Sequence, residues 1–177
     1  LTLSIIRAVA TLDFPGADRL LRQAMAILPP LARLKRRLKA RGVPIVYVND
    51  NFTHWLSDFR ELVAICSQPD AAGKPLVEAL APEHDDYLVL KPKHSGFFAT
   101  PLEVLLAQLG VRRVVVTGIA GDGCVLATAA DAHMRDFEVV VPSDCCASIT
   151  RARNDRALRL LRDALHVATP VGSRVAP

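Results

Sequence analysis

The sequence predicts an α/β fold, a three-layer αβα sandwich around a mostly parallel sheet of six strands. Three observations predict it. Short β-branched runs alternate with longer helical patterns along the chain. Several runs, IVYV at 45–48, VVVT at 114–117 and VVV at 139–141, are apolar without strict alternation, which suits strands covered on both faces. Nearly every strand is followed by a helix, and right-handed crossovers wind that order into a doubly covered parallel sheet.

Leu3 to Ile6, Pro44 to Val48, Tyr87 to Leu90, Arg113 to Thr117 and Glu138 to Val141 read as strands, with His166 to Thr169 as a weaker sixth. A helix is predicted over about 17–41, with Ile27, Leu31, Leu34 and Leu38 on its apolar face and Arg33, Lys35, Arg36, Arg37, Lys39 and Arg41 largely elsewhere. Pro29 and Pro30 should kink or split it, and Gly42 ahead of Pro44 should stop it. A second helix starts near Pro101, behind a capping Thr100, and ends at Gly110. A third runs from near Asp122 to about Arg135, and a fourth over about 152–165 carries Leu158, Leu161 and Leu165. The least regular stretch, Asn49 to Glu83, reads as an excursion that walls a cleft. Ligands in such sheets bind beyond the carboxyl ends of the strands, so the loops after Ile6, Val48, Leu90 and Thr117 matter most.

The 177 residues suit one domain over 1–177, large enough to bury about 70% of its extended surface. A hydrophobic share of 51% argues against disorder. No uncharged apolar run nears the ~18 residues a membrane span needs, so no membrane partner is expected. The net charge of +4 is ordinary, and aromatics at 5% offer no stacking platform for single-stranded nucleic acid. The basic run Arg33 to Arg41 reads as the outer side of an amphipathic helix, so no nucleic-acid partner is expected either. Cys66, Cys124, Cys145 and Cys146 form neither a CxxC motif nor a disulfide framework. With no signal-peptide pattern at the start, a cytoplasmic protein is expected.

Three loops carry candidate chemistry. Gly118-Ile119-Ala120-Gly121-Asp122-Gly123-Cys124 leads from a strand into a helix. A cysteine there lies near unpaired N–H groups and the positive end of the helix dipole, both of which favour thiolate. Reactive nucleophile and packed thiol both fit at this point. Glycines at 118, 121 and 123 do not make a GxGxxG fingerprint, so no dinucleotide cofactor is expected. Lys91-Pro92-Lys93-His94 could present a cation to a thiolate or serve as a solvated basic turn. Asn49-Asp50-Asn51-Phe52-Thr53-His54-Trp55 holds a thin metal set and reads as a structural or substrate-facing polar loop. Trp55 is a cleft wall or part of a subunit contact.

Taken together, these segments resemble the isochorismatase-like cysteine hydrolases, a family that includes nicotinamidases and related amidases. LDFPGADRLL at 12–21, VPIVYVNDNF at 43–52, YLVLKPKHSGFFATPL at 87–102 and VVVTGIAGDGCVLATAADAHMRDFEVVVPSDCCAS at 114–148 match it in order. The resemblance implies a Rossmann-like sheet, an Asp–Lys–Cys triad and a homo-oligomer, a dimer or larger. The triad cysteine falls on Cys124 and the lysine on Lys91. The oxyanion hole falls on the backbone N–H groups of Ala120 and Cys124, beside a cis peptide joining Ile119 to Ala120. Asp13, Phe52, Trp55, His94 and Phe97 are the substrate-binding candidates. Asn49, Asp50, Asn51 and His54 do not reproduce the spacing of the family's metal-binding members, so no catalytic metal is expected.

One position departs from the pattern. The triad aspartate falls on Arg7, and a second usually acidic position on Thr11. Arginine stays protonated at neutral pH and cannot carry a proton from thiol to leaving group. Asp13 and His94 are the substitutes considered. The resemblance thus implies a hydrolase of a small amide or related compound with weakened or altered activity. The alternative is a catalytically silent homologue that binds a small molecule or another subunit.

Overall fold

A computed structural model describes residues 2–4, 15–50, 64, 67–68 and 71–176. Arg7, Thr11, Asp13, Phe52, His54, Trp55 and Cys66 lie outside the described residues.

The described elements are β1 (Thr2–Ser4), α1 (Ala17–Lys39), β2 (Val46–Asp50), α2 (Lys74–Leu80), β3 (Tyr87–Lys91), α3 (Leu102–Gln108), β4 (Arg113–Ile119), a π-helical turn (Gly121–Val125), α4 (Leu126–His133), β5 (Glu138–Val140), β6 (Cys146–Ala147), α5 (Arg151–Leu165) and a 3₁₀ turn (Gly172–Arg174). The strands run in the order β3-β2-β1-β4-β5, all paired in parallel, with β6 joined to β4 beside that row. The chain leaves β1 in one direction to build β2 and β3, then returns to its other side for β4 and β5. This reversal between β1 and β4 is where a parallel sheet opens a crevice for ligand.

Strand alternation explains the three layers. Ile45, Tyr47, Val115 and Val140 pack with Leu20, Ile27, Leu31, Leu34 and Leu38 of α1 and with Leu76 and Leu80 of α2. Their neighbours Val46, Val48, Val114, Val116 and Val139 pack on the opposite face with Leu102 and Leu106 of α3, Ala129 and Ala132 of α4, and Leu158 and Leu161 of α5. Both faces are covered along the runs at 45–48, 114–116 and 139–140, which is why these runs are apolar without strict alternation. Each fully buried leucine contributes roughly 1.5–3 kcal/mol.

Four expectations are corrected. The predicted strand at His166 to Thr169 forms only a single bridge, Val140 to Ala168, and the extra strand is instead Cys146–Ala147 beside β4. Pro29 and Pro30 sit inside one unbroken helix. The carbonyls they leave unpaired, four residues earlier, belong to the exposed Met25 and Ala26, where water can take the bonds. Lys35 is buried rather than on the solvent side. Its Nζ donates to the Ala81 carbonyl at 2.7 Å, pairs with Glu83 and Asp86, and lies over the Tyr47 ring. The excursion after Asn49 contains α2, which packs in the core beneath α1.

Candidate active site

The carboxyl ends of β2 and β3 build the first part of the site. The parallel register opposes Val46 to Tyr87 and, four residues on, Asp50 to Lys91. Residues opposed in a parallel ladder project to the same face, so the carboxylate and ammonium are brought together by strand pairing alone. Lys91 is fully buried. Its ammonium has three N–H donors, and all three find partners. One donates to Asp50 Oδ1 at 2.7 Å, one to the Lys93 carbonyl at 3.0 Å, and one to Cys124 Sγ at 3.2 Å. A buried cation is tolerated only when so satisfied.

The sulfur comes from the other side of the crevice. β4 ends at Ile119, the Ile119–Ala120 peptide is cis, and the chain enters the π-helical turn that carries Cys124. Gly118 holds φ at 111°, a conformation that L side chains rarely adopt. At Gly121 a Cβ would lie 2.0 Å from Asn154 Oδ1 and 3.1 Å from Ser148 Oγ, so glycine is required there by close approach. The Ser148 hydroxyl accepts from the Asp122 N–H at 3.0 Å and donates to the buried Asn154 at 3.4 Å. These contacts fix the turn against β6 and α5.

Cys124 Sγ has three polar neighbours. Besides Lys91, its S–H can donate to Asp50 Oδ2 at 3.7 Å, and His94 Nδ1 lies 3.7 Å away. Burial pushes the Cys124 thiol above its ordinary range, the Lys91 ammonium pulls it back, and the Asp50 carboxylate adds to the rise. The net direction is upward, toward protonated thiol. The arrangement therefore joins a soft nucleophile, a cation and a carboxylate able to accept its proton.

The other named residues fall in different places. His94 is exposed and lines a cavity of about 440 Å³ with Gly123, Leu126, Ala130 and Leu160. Phe97 is buried, packed on Phe137 and beneath the Arg135 guanidinium, where it shapes the core below the loop. That loop is tied to α4 by Ser95, whose hydroxyl donates to Asp131, and by the Gly96 N–H, which donates to Thr128 Oγ1 at 2.9 Å. A larger groove of about 670 Å³ over α4 and α5 is lined by Asp122, Arg153, Arg156 and Leu160, and by none of Lys91, His94 or Cys124. Among the described residues no three His, Cys, Asp or Glu side chains converge as a metal set does. Cys145 and Cys146 are buried in the core. Asp50 is the residue that sequence reasoning placed in a polar loop, and the β2–β3 register is the signal that finds it.

Comparison with known proteins adds the lineage. A family model described as the isochorismatase domain matches residues 11–173. An isochorismatase family protein of Bacillus subtilis (strain 168), YaaI, is 35% identical over 163 residues, 92% of this chain and 89% of that one. Ureidoacrylate amidohydrolase RutB of Methylorubrum extorquens is 44% identical over 69 residues, 39% of this chain and 28% of its own length. Among solved structures, an isochorismatase family protein from Desulfovibrio vulgaris superposes with a TM-score of 0.76 at 23% identity, covering 97% of this chain and 94% of that one. N-carbamoylsarcosine amidase from Thermoplasma acidophilum gives 0.72 at 23% identity, covering 99% and 98%.

Proposed function

Because the chain belongs to the isochorismatase family, we propose that it is a cysteine hydrolase acting on a small amide or related compound, with Cys124 as nucleophile and Lys91 as its electrostatic partner. The observation that carries this reading is the buried Lys91 ammonium 3.2 Å from Cys124 Sγ. A cation there stabilises the thiolate as the proton leaves the sulfur. The sulfur attacks the substrate carbonyl carbon, and the carbonyl electron pair moves onto oxygen. The N–H groups of Ala120 and Cys124 are assigned to receive that oxyanion, a stabilisation of the kind worth ~2.7–4 kcal/mol per donor. Collapse expels the leaving nitrogen and leaves an acyl-enzyme, which water hydrolyses.

The similarity to RutB, a ureidoacrylate amidohydrolase, supports a substrate with a ureido or amide carbonyl. Asp13, Phe52, Trp55 and His94 are proposed to contact the substrate. Arg7 stands at the position where the resemblance expects the triad aspartate, so activity is weakened or altered. The protein is proposed to act in the cytoplasm as a homo-oligomer, without cofactor or catalytic metal. Exposed Phe98, Val104 and Leu160 supply apolar surface for assembly. A species of about 19 kDa by sedimentation at micromolar concentration contradicts the oligomer.

Arg7 also motivates a second reading, a silent homologue that binds a small molecule or another subunit. A hydrolysis screen of primary carboxamides, carbamoyl and ureido compounds and isochorismate, run on the intact protein and on Cys124→Ala, separates the two. Turnover lost in the variant supports the hydrolase. No turnover on any compound favours the silent homologue.

A further inference from the structure

We infer that Asp50 is the proton carrier of this site, taking over the acid–base role that Arg7 cannot perform; the inference rests on the hydrolase reading above. Three observations support it. Asp50 contacts both other members of the cluster, with Oδ1 on Lys91 at 2.7 Å and Oδ2 on Cys124 Sγ at 3.7 Å. Its two oxygens are thus divided between cation and thiol, the arrangement that lets one accept a proton while the other stays anchored. Its side chain is partly exposed, at 20%, so it can also reach an entering substrate and water. Finally, the sulfur sits in surroundings that favour the protonated thiol, so attack needs an acceptor within reach.

The steps balance around this carboxylate. The Cys124 proton passes to Asp50 Oδ2 as the S–C bond forms and the carbonyl pair moves to oxygen. On collapse the C–N bond breaks, and the leaving nitrogen takes the proton from the Asp50 carboxylic acid. Water then attacks the thioester and gives a proton to the carboxylate. As the C–S bond breaks, that proton returns to sulfur, and Asp50 and Cys124 regain their starting forms. No oxidant, reductant or second co-reactant is needed.

His94 is the competing carrier, at 3.7 Å through Nδ1. It is exposed, whereas Asp50 is fixed by the β2–β3 ladder and the buried Lys91 ammonium. Preorganisation favours Asp50.

The test compares the intact protein with Asp50→Asn, Asp50→Glu, His94→Gln and Arg7→Asp, each checked for folding by its cooperative thermal transition. Two readouts are taken: kcat/KM on compounds whose turnover needs Cys124, and the pH midpoint of Cys124 alkylation by iodoacetamide. Asp50→Asn is expected to lose ~10²–10⁴ in kcat/KM, with at least about tenfold of it recovered in Asp50→Glu, while His94→Gln loses less than about tenfold. In the same Asp50→Asn protein the alkylation midpoint should move to lower pH, because a negative charge beside the sulfur is gone. A more available thiolate with slower turnover is the signature of a proton carrier; a merely structural residue does not produce that pair. Asp50→Asn within about fivefold of the intact protein, or a loss confined to His94→Gln, overturns the inference. So does an Arg7→Asp protein faster by ~10² or more, since that marks an acid that nothing had replaced. Absence of turnover in the intact protein instead overturns the hydrolase reading; the alkylation midpoint then decides whether Asp50 is coupled to the thiol, and an unmoved midpoint says that it is not.

Discussion

Asp50 and Lys91 are opposed residues of one parallel ladder, and their side chains meet at 2.7 Å where β2 and β3 end. The pair is a direct product of strand register, and it sets the third partner, because the same ammonium reaches Cys124. Removing it should therefore be felt in stability and in chemistry together. Lys91→Met is expected to destabilise the protein by about 2–3 kcal/mol, below the ~3–5 kcal/mol of a wholly buried pair because Asp50 retains some contact with water. Urea unfolding measures this. Lys91→Arg should not rescue activity, since a planar fork with five donors cannot reproduce three divergent bonds from one nitrogen. A Lys91→Arg protein with full turnover contradicts the assigned geometry.

The Gly121 backbone lies against Asn154, and the space there admits no side chain. A methyl at position 121 would meet Asn154 Oδ1 at 2.0 Å, and Asn154 is a short, buried residue of α5. Gly121→Ala should cost about 1–3 kcal/mol through overpacking and slow catalysis by displacing the turn that carries Cys124. Truncating the obstacle in a Gly121→Ala, Asn154→Ala double variant should be less destabilising than the separate costs added together. Thermal unfolding of the four proteins closes this cycle, and strict additivity contradicts the contact.

Asp122 gives a pH-dependent prediction. Burial raises its carboxyl, but the Ser148 hydroxyl and the Arg153 guanidinium outweigh that and hold it below the ordinary carboxylate value. A carboxyl depressed in the folded state contributes stability that is complete above its unfolded value of ~3.9 and is lost as pH falls through the lower folded value. Asp122→Asn should thus lower the urea midpoint at about pH 7, and its deficit should shrink as pH falls below about 4. A deficit independent of pH contradicts the charged role.

Much of this was legible in the residues. Apolar runs at 45–48 and 114–117 announced strands buried on both sides, and both halves of each alternation now lie in separate cores. Thr100 and Gly110 bracket α3, and Leu158 and Leu161 of the helix read over about 152–165 lie buried in α5. Lys91 and Cys124, named from loops far apart in sequence, are neighbours. Asp50 is not legible while the strand is read over Pro44 to Val48; β2 runs on through two polar residues to Asp50, where the register points at Lys91. A basic run hides which member turns inward, and the partners that hold Lys35, the Ala81 carbonyl, the Asp86 carboxylate and the Tyr47 ring, come from distant segments. α2 was hidden by its seven-residue length in a polar stretch, although Pro75 occupies its first turn.

The central claim is that Cys124 is the nucleophile, and limited iodoacetamide labelling with peptide mapping tests it without knowledge of the substrate. Cys145 and Cys146 lie deep in the core, and burial pushes the Cys146 thiol up to about 12. Cys124 alone among the described cysteines has a lysine at hydrogen-bond distance. The account predicts that Cys124 labels first, ahead of Cys66, Cys145 and Cys146, that its rate climbs with pH as thiolate forms, and that turnover falls in step with its modification. If another cysteine labels first at neutral pH, or if turnover survives complete modification of Cys124, the account is wrong.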